Sequence, residues 1–350
     1  MRSDTSANTS ADPTPVRGAE LALLNDYQHD FPICTRPFAA IAQDMGTDEA
    51  DVIAQFTAWL EQGRITRVGP VFAPQRVGVS TLAAINVPPD RLTETAALVS
   101  AFAEVNHNYA REHAYNLWFV ATAPDLAHLD HVLSAIAQQC NAPVLRLPML
   151  EQYHIDLGFS LHDAPRKHHA HSAQTIVSTG IPPKQLTTWQ RQLIGAMQGG
   201  LALCQRPYQA LADGLGCAEL EVLHCIRTWL ADGTLKRFGV VVRHHEMGYV
   251  ANAMVVHDVP DAQVSELGQR LGQHPAVTLC YRRPRVKDQW RYNLFCMLHG
   301  RSRSQVEQQI TKLREDYALQ DYPHAVLFSR DRFKQQGARY TATPLAVCTV

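Results

Sequence analysis

Apolar residues recur at helical spacing near the start of the chain. Val52, Phe56, Trp59 and Leu60 mark one face of a helix predicted over Thr47–Gln62, because this spacing places them on one side of a 3.6-residue turn. Two shorter helical patterns precede this helix and two short apolar runs follow it, which predicts a winged helix-turn-helix. The additional predicted elements are helices at Glu20–Asp26 and Thr35–Met45 and a hairpin of Ile65–Val68 with Val71–Ala73.

The apolar pattern then changes to β-branched runs of strand length that alternate with helical stretches. The order is βαββαβ, which is typical of a ferredoxin-like domain with its helices on one face of an antiparallel sheet. The predicted segments are Val79–Val87, Pro88–Ala103, Val105–Tyr109, Tyr115–Thr122, Asp125–Gln139 and Val144–Leu150.

The whole plan occurs twice. The first helix-turn-helix reads CTRPFAAIAQDMGTDEADVIAQFTAWLEQGRITRVG (Cys34–Gly69), and 170 positions later the chain reads CQRPYQALADGLGCAELEVLHCIRTWLADGTLKRFG (Cys204–Gly239). The second ferredoxin-like pattern follows at Tyr249–Val259, Pro260–Gln273, Ala276–Arg282, Arg291–Leu298, Ser302–Tyr317 and Ala325–Ser329. A repeat of this length predicts an α+β protein, a tandem repeat of a winged helix-turn-helix plus a ferredoxin-like βαββαβ domain.

This duplication predicts the domain boundaries. Two winged helix-turn-helix domains are expected at 19–78 and 188–248, and two ferredoxin-like domains at 79–161 and 249–340. The polar residues 1–18 are interpreted as a disordered leader, 162–187 as an exposed linker and 341–350 as a tail.

Composition narrows the class of protein. The 350 residues carry a formal net charge of −1, so no basic excess is available to hold a nucleic acid non-specifically. No apolar run reaches the roughly 18–20 residues of a membrane span, so no membrane association is expected. The eight cysteines form no CxxC pair and are interpreted as reduced thiols of a cytoplasmic protein. The histidines of Lys167–His171 are interpreted as part of the linker, and no metal site is predicted.

The predicted recognition helices are acidic. Asp48–Leu60 carries three acidic residues and no Lys or Arg, and Ala218–Leu230 carries Glu219 and Glu221 beside the single cation Arg227. DNA recognition uses Arg, Lys, Asn or Gln, and acidic helices are repelled by the phosphate backbone. The helix-turn-helix is therefore expected to act as scaffold, and no DNA partner is expected.

Polar residues that break the apolar pattern cluster at the first hairpin of the ferredoxin-like domain. His107, Tyr109, Arg111 and His113 occupy alternate positions, and a strand would place them on one face. Half-exposed strands usually place Thr, Ser or Lys outwards, so this pattern indicates a binding site.

The corresponding hairpin of the second copy has a different polar set. Tyr281 and Arg283 match the tyrosine and arginine of the first copy, whereas Leu279 stands in place of His107. Basic side chains are concentrated here within ten residues, at Arg282, Arg283, Arg285, Lys287 and Arg291. Such a cluster suits a ligand with several carboxylates, and the alternative interpretation is a solvated hairpin tip.

A third difference between the copies lies after the predicted wing, where Arg243-His244 of the second copy replaces Ala73-Pro74 of the first. A titratable imidazole beside a cation in one copy only indicates a site. The candidate catalytic residues are therefore His107 and His244. The candidate substrate-binding residues are Tyr109, Arg111, His113, Arg243, Tyr281, Arg282 and Arg283.

The domain order resembles the leucine-responsive regulator/AsnC family of transcription factors. The runs KRFGVVVRHHEMGYVANAMVVHDVP, CYRRP with YNLF, and VNHNYAREHAYNLWFV are similar to those of the siroheme decarboxylases, which are built on that fold. The similarity spans about residues 20 to 340 and matches the fused form of two related subunits. It implies decarboxylation of two acetate side chains of sirohaem to 12,18-didecarboxysirohaem, on the route to haem d1 or haem, with no cofactor beyond the iron tetrapyrrole substrate.

The resemblance also implies roles for the candidate residues. His107 and His244 would flank the reacting acetates, one orienting a carboxylate and one returning the proton, while the arginines hold the other carboxylates. Either histidine, or the adjacent His245, could instead ligate the iron. An AsnC-type regulator and a non-catalytic tetrapyrrole carrier stay open as alternatives at this point, as does association into a homodimer or with related decarboxylase subunits.

Overall fold

The computed structural model describes residues 23–24, 26–155, 184–242 and 251–340. The predicted leader and tail, and most of the predicted linker, lie outside these ranges. Within them, no helix is long and apolar enough to cross a bilayer.

The elements follow the predicted order. In chain order they are α1 (Pro37–Met45), α2 (Glu49–Glu61), β1 (Ile65–Phe72), α3 (Pro74–Val77), β2 (Val79–Ile85), α4 (Leu92–Ala101), β3 (Val105–Arg111), β4 (Leu117–Ala123), α5 (Leu126–Cys140), β5 (Leu145–Pro148), β6 (Glu151–Ile155), α6 (Thr188–Met197), α7 (Pro207–Leu215), α8 (Glu219–Ala231), β7 (Leu235–Val242), β8 (Ala251–His257), α9 (Val264–Gly272), β9 (Val277–Arg282), β10 (Leu294–Gly300), α10 (Arg303–Asp316) and β11 (His324–Gln335). Two helix-turn-helix units and two βαββαβ units are present, so the predicted fold class is confirmed.

The two helix-turn-helix units share one apolar core. A proline begins α1 in the first unit and α7 in the second, and a glycine in the left-handed conformation ends each of them, Gly46 with φ 66° and Gly216 with φ 65°. Trp59 of α2 and Trp229 of α8 are fully buried in the same cluster. Trp229 packs edge-on against Phe72 of the other unit, with ring centroids 6.1 Å apart, so the shared core joins the two units.

The predicted wing hairpins are wrong. In the first unit the two apolar runs together form the single strand β1, which pairs antiparallel with β7 of the other unit instead of folding back on itself. Gly69 and Gly239 lie opposite each other in this ladder. They serve close packing rather than a turn, because a Cβ on Gly239 would lie 2.4 Å from the carbonyl oxygens of Tyr27 and Gln28.

The two ferredoxin-like units pack sheet against sheet. Helices α4 and α5 cover the outer face of the first sheet, and α9 and α10 cover that of the second, each over its own apolar cluster. A further cluster, which includes Trp118, Leu147, Met254 and Phe295, lies on the inward faces of both sheets. Because side chains alternate across a strand, every inward residue can be identified from the register.

The last strand of each unit crosses into the sheet of the other. β11 pairs with β8 of its own unit through His324–Phe328 and with β3 of the first unit through Ser329–Gln335. β5 pairs with β2, and β6, two residues later, pairs with β9 of the second unit. Strand β11 therefore joins the two sheets edge to edge, and hydrogen bonding is continuous through nine strands in the order β5-β2-β4-β3-β11-β8-β10-β9-β6. The sequence predicted a strand that ended at Ser329, six residues too early.

Candidate active site

Three of the predicted site residues lie together on the inward face of β3. The side chain of Asn108 donates to the carbonyl oxygen of Ala96 in α4 at 3.0 Å, so this residue points outwards to the helices. Side chains alternate along a strand, so the opposite, inward face of β3 carries His107, Tyr109 and Arg111. The rings of His107 and Tyr109 are stacked at 6.4 Å, and the guanidinium carbon of Arg111 lies 5.8 Å from the Tyr109 ring centroid.

Arg111 is a buried cation with neutral neighbours. Its side chain is 8% exposed, and its Nη1 donates to the carbonyl oxygen of Leu327 at 3.0 Å. Burial lowers the pKa of Arg111 to about 10, since a charge is poorly solvated there. No carboxylate pairs with it among the residues that the structure describes.

His107 lies beside a second such cation. Burial lowers the pKa of His107 to about 4, and the positive charge of Arg67 on β1 lowers it further. The imidazole is therefore neutral at pH 7 in the free protein. Its Nδ1 lies 3.1 Å from Oδ1 of Asn106. The Arg67 guanidinium donates to the carbonyl oxygen of Pro70 at 3.1 Å.

His113 lies beyond the end of the strand, so the predicted alternation does not place it. Strand β3 ends at Arg111, so the alternation stops before His113. The His113 Nδ1 accepts a hydrogen bond from the backbone nitrogen of Tyr115 at 3.0 Å, and its ring packs edge-on against Trp290 at 5.3 Å. This histidine holds the turn of the hairpin.

The second unit repeats the inward arrangement of Tyr and Arg. The guanidinium carbon of Arg283 lies 5.3 Å from the Tyr281 ring centroid and 5.7 Å from that of Phe295. Arg283 donates to the carbonyl oxygen of Leu147, as Arg111 does to that of Leu327. Burial lowers the pKa of Arg283 to about 10. Leu279 occupies the position of His107, as the sequence register predicts.

Arg282 faces the other way, so grouping it with Arg283 is corrected. Its Nη1 donates to Glu151 at 2.6 Å and its Nη2 to Asp261 at 3.1 Å. Arg283 follows the last residue of β9, and its contacts with the Tyr281 and Phe295 rings place it on the inward side.

Most of the basic cluster at the second hairpin is neutralised within the protein. Arg285 and Arg291 both pair with Asp258, at 2.7 and 2.9 Å, and Arg285 also pairs with Asp261 at 2.9 Å. Of the predicted multi-carboxylate cluster, the inward Arg283 and the exposed Lys287 have no acidic partner among the described residues. The sequence did not reveal this, because the two aspartates precede the hairpin by more than twenty residues.

Two further polar residues lie near the inward face, and sequence reasoning did not single them out. Lys236 of β7 donates to Oε1 of Gln152 in β6 at 2.6 Å. His299 of β10 contacts the hydroxyl of Thr278 at 3.0 Å, and burial together with the charge of Arg111 lowers its pKa to about 4. For Lys236 the sequence did carry a signal, because the two copies differ there and the first copy has Thr66 at the matching position.

The remaining candidates lie outside the described residues. These are Arg243, His244 and His245, and the linker histidines of 167–171. Among the described residues, no group of three or more His, Cys, Asp or Glu side chains is placed to hold a metal ion.

Comparison with known proteins gives consistent matches for both halves. Residues 76–154 and 246–334 match the family described as AsnC-like ligand binding domain, and residues 20–65 and 190–235 match that described as siroheme decarboxylase NirDL-like HTH domain. A siroheme decarboxylase NirDL subunit of Paracoccus pantotrophus is 42% identical over 91% of this chain and 96% of its own length.

Two solved structures share the architecture. A crystal structure of the siroheme decarboxylase NirDL is 27% identical, with a TM-score of 0.68, and covers 91% of this chain and 93% of its own. A structure of siroheme decarboxylase NirDL in co-complex with an iron-uroporphyrin III analogue is 26% identical, with a TM-score of 0.66, and covers 91% of this chain and 92% of its own.

Proposed function

This chain belongs to the siroheme decarboxylase family, and we propose that it removes carbon dioxide from two acetate side chains of sirohaem. It is an enzyme, a carboxy-lyase. The product is 12,18-didecarboxysirohaem, an intermediate on the way to haem d1 or, by an alternative route, to haem.

The observation that supports this proposal most strongly is a set of buried or half-buried cations without acidic partners among the described residues. Arg67, Arg111, Arg283 and Lys236 contact carbonyl oxygens or an amide. In the same hairpin as Arg283, in contrast, three arginines each pair with a carboxylate: Arg282, Arg285 and Arg291. An uncompensated buried cation is costly. Sirohaem carries eight carboxylates, which would compensate this charge on binding.

The reaction requires a proton donor rather than an oxidant. Cleavage of the bond between the acetate methylene and its carboxylate releases carbon dioxide and leaves the electron pair on the methylene carbon, where the macrocycle delocalises it. A proton then forms the new C–H bond and completes a methyl group. The proposal needs no cofactor beyond the iron tetrapyrrole substrate.

In this proposal His107 returns the proton. The imidazole is neutral in the free protein, and substrate carboxylates beside it would raise its pKa, since a nearby negative charge favours the imidazolium. Tyr109 and Tyr281 would donate hydrogen bonds to the same acid groups, and Arg111 and Arg283 would hold the others. We assign His244 as the second histidine and Arg243 as a carboxylate ligand on the sequence pattern alone.

Anaerobic incubation of the purified chain with sirohaem, followed by mass spectrometry of the tetrapyrrole, tests the proposal. We expect a mass decrease equal to two molecules of carbon dioxide. A carrier or a haem-responsive regulator would return sirohaem at its original mass, and that result would contradict the proposal.

The role of His107 has its own prediction. His107→Leu, which installs the residue of the second copy, is expected to lower kcat by about 10²–10⁴-fold, the usual contribution of a general acid. Tetrapyrrole binding, followed by absorbance, should persist because the arginines are unchanged. His131→Leu, at an exposed position of α5, is the matched control. An unchanged kcat in a folded His107→Leu protein would exclude this histidine as the proton donor.

The proposal also covers the cellular compartment of the reaction and the association of this chain with other subunits. We place the reaction in the cytoplasm, where unpaired cysteines stay reduced; the described cysteines are free thiols. Association with a second copy or with related decarboxylase subunits is part of the same proposal, and native mass spectrometry would determine it.

A further inference from the structure

Lys236 distinguishes the inward face of the second unit from that of the first. It lies on β7, and Thr66 of β1 occupies the matching position of the other copy. The threonine hydroxyl donates to the carbonyl oxygen of Val241 on β7 at 3.1 Å. A long cationic side chain thus replaces a short neutral one in one half only.

The contacts of Lys236 place its charge against β9. Its Nζ donates to Oε1 of Gln152 at 2.6 Å. Gln152 pairs with Tyr281 in the ladder between β6 and β9, and opposed residues of a ladder project on the same face. Lys236 therefore reaches the face that carries Tyr281 and Arg283.

Neither of these two cations is neutralised among the described residues. Arg283 contacts a carbonyl oxygen and two aromatic rings, and Lys236 contacts an amide. Lys184 shows the contrast, since it forms an ion pair with Asp232. Burial lowers the pKa of Lys236 to about 7, which reflects the missing negative charge.

We propose that Lys236 and Arg283 form a carboxylate-binding subsite for the peripheral acid side chains of the tetrapyrrole, with Gln152 positioning the lysine. This inference rests on the proposed function and adds a residue that selects substrates by their number of carboxylates. An iron uroporphyrin carries eight carboxylates and an iron coproporphyrin four. The subsite favours the octacarboxylate because both cations can then be paired.

Absorbance titration of the full chain with iron-uroporphyrin III and iron-coproporphyrin III tests the subsite. Lys236→Met is expected to weaken iron-uroporphyrin binding by about tenfold or more and iron-coproporphyrin binding by less than about threefold. Lys236→Arg should retain most of the affinity, because the charge is kept. Thr66→Val, at the matching position of the first copy, should leave both affinities unchanged.

A second variant tests the positioning role. Gln152→Glu gives Lys236 an acidic partner inside the protein, so it should also weaken iron-uroporphyrin binding while the thermal stability is kept. Equal affinities of the unmodified protein and Lys236→Met, or no binding of iron-uroporphyrin by the unmodified protein, would overturn the subsite. Tight, Lys236-dependent binding without decarboxylation of sirohaem would instead overturn the proposed function alone.

Discussion

At the scale of single residues, the site is defined by which charges lack a partner. The sequence register between the copies was enough to find His107 against Leu279, because a missing imidazole is visible without a structure. It could not separate Arg283 from Arg282, since that depends on which side chains each one contacts in the fold, aromatic rings for Arg283 and Glu151 and Asp261 for Arg282. Whether an arginine forms an ion pair depends on the three-dimensional fold, whereas its residue type can be read directly from the sequence.

The buried histidine His257 gives a prediction for stability against pH. It is fully buried, both ring nitrogens lack a hydrogen-bond partner among the described residues, and burial lowers its pKa to about 3. Between that value and 6.5 the unfolded chain binds a proton that the folded chain does not, so acidification through this window destabilises the fold. Between pH 6.5 and 5 this histidine alone should cost about 2 kcal/mol, at ~1.4 kcal/mol per pH unit.

His257→Leu should remove that part of the acid sensitivity. Denaturant unfolding at pH 6.5 and pH 5 measures it, and the variant is expected to lose about 2 kcal/mol less than the unmodified protein over this interval. His107 and His299, whose pKa values are also lowered, remain as the background. The same loss in both proteins would show that His257 becomes protonated in the folded state.

At the scale of elements, hydrophobic periodicity predicted which segments are helices and strands but not all of their partners. The apolar run at Ile65–Phe72 looked like a hairpin because Gly69-Pro70 is a common turn dipeptide. The predicted last strand stopped at Ser329, although the polar residues that follow continue β11 and pair with β3. Both errors concern pairing between the two halves, which local propensity does not encode.

Gly239 tests the close approach of residues 27 and 28 to β7. Gly239→Ala would place a methyl group 2.4 Å from two backbone oxygens, so the strand must shift, and we expect a loss of about 1–3 kcal/mol of unfolding free energy. Gly214→Ala is the control, because nothing lies within 4 Å of its Cβ position in α7. Alanine there should be neutral or stabilising by about 0.5–1 kcal/mol. Equal effects at both positions would contradict the close packing of β7 against residues 27 and 28.

At the scale of the whole molecule, the chain is built like a dimer whose two subunits have been joined and have diverged. Strands β6 and β11 each cross to the other unit, and both helix-turn-helix units share one core. The halves therefore depend on each other for their sheets. The repeat predicted two equivalent domains, and the crossing strands show how an asymmetric site can arise between them.

Separate production of the halves tests this interdependence. When residues 1–161 and 188–350 are co-expressed, they should copurify as a one-to-one complex, because the β3–β11 and β6–β9 ladders and the shared core remain. Each half alone should be less stable to heat than the complex. Halves that elute separately and are folded would contradict a shared fold.

The central claim is that inward cations without acidic partners bind the substrate for decarboxylation, whereas outward cations with acidic partners do not. Two adjacent residues test it most directly. Steady-state decarboxylation of sirohaem by Arg283→Gln should show kcat/KM lowered at least about tenfold, while Arg282→Gln, checked for folding, stays within about twofold of the unmodified protein. Equal losses in both variants, or the larger loss in Arg282→Gln, would contradict the claim.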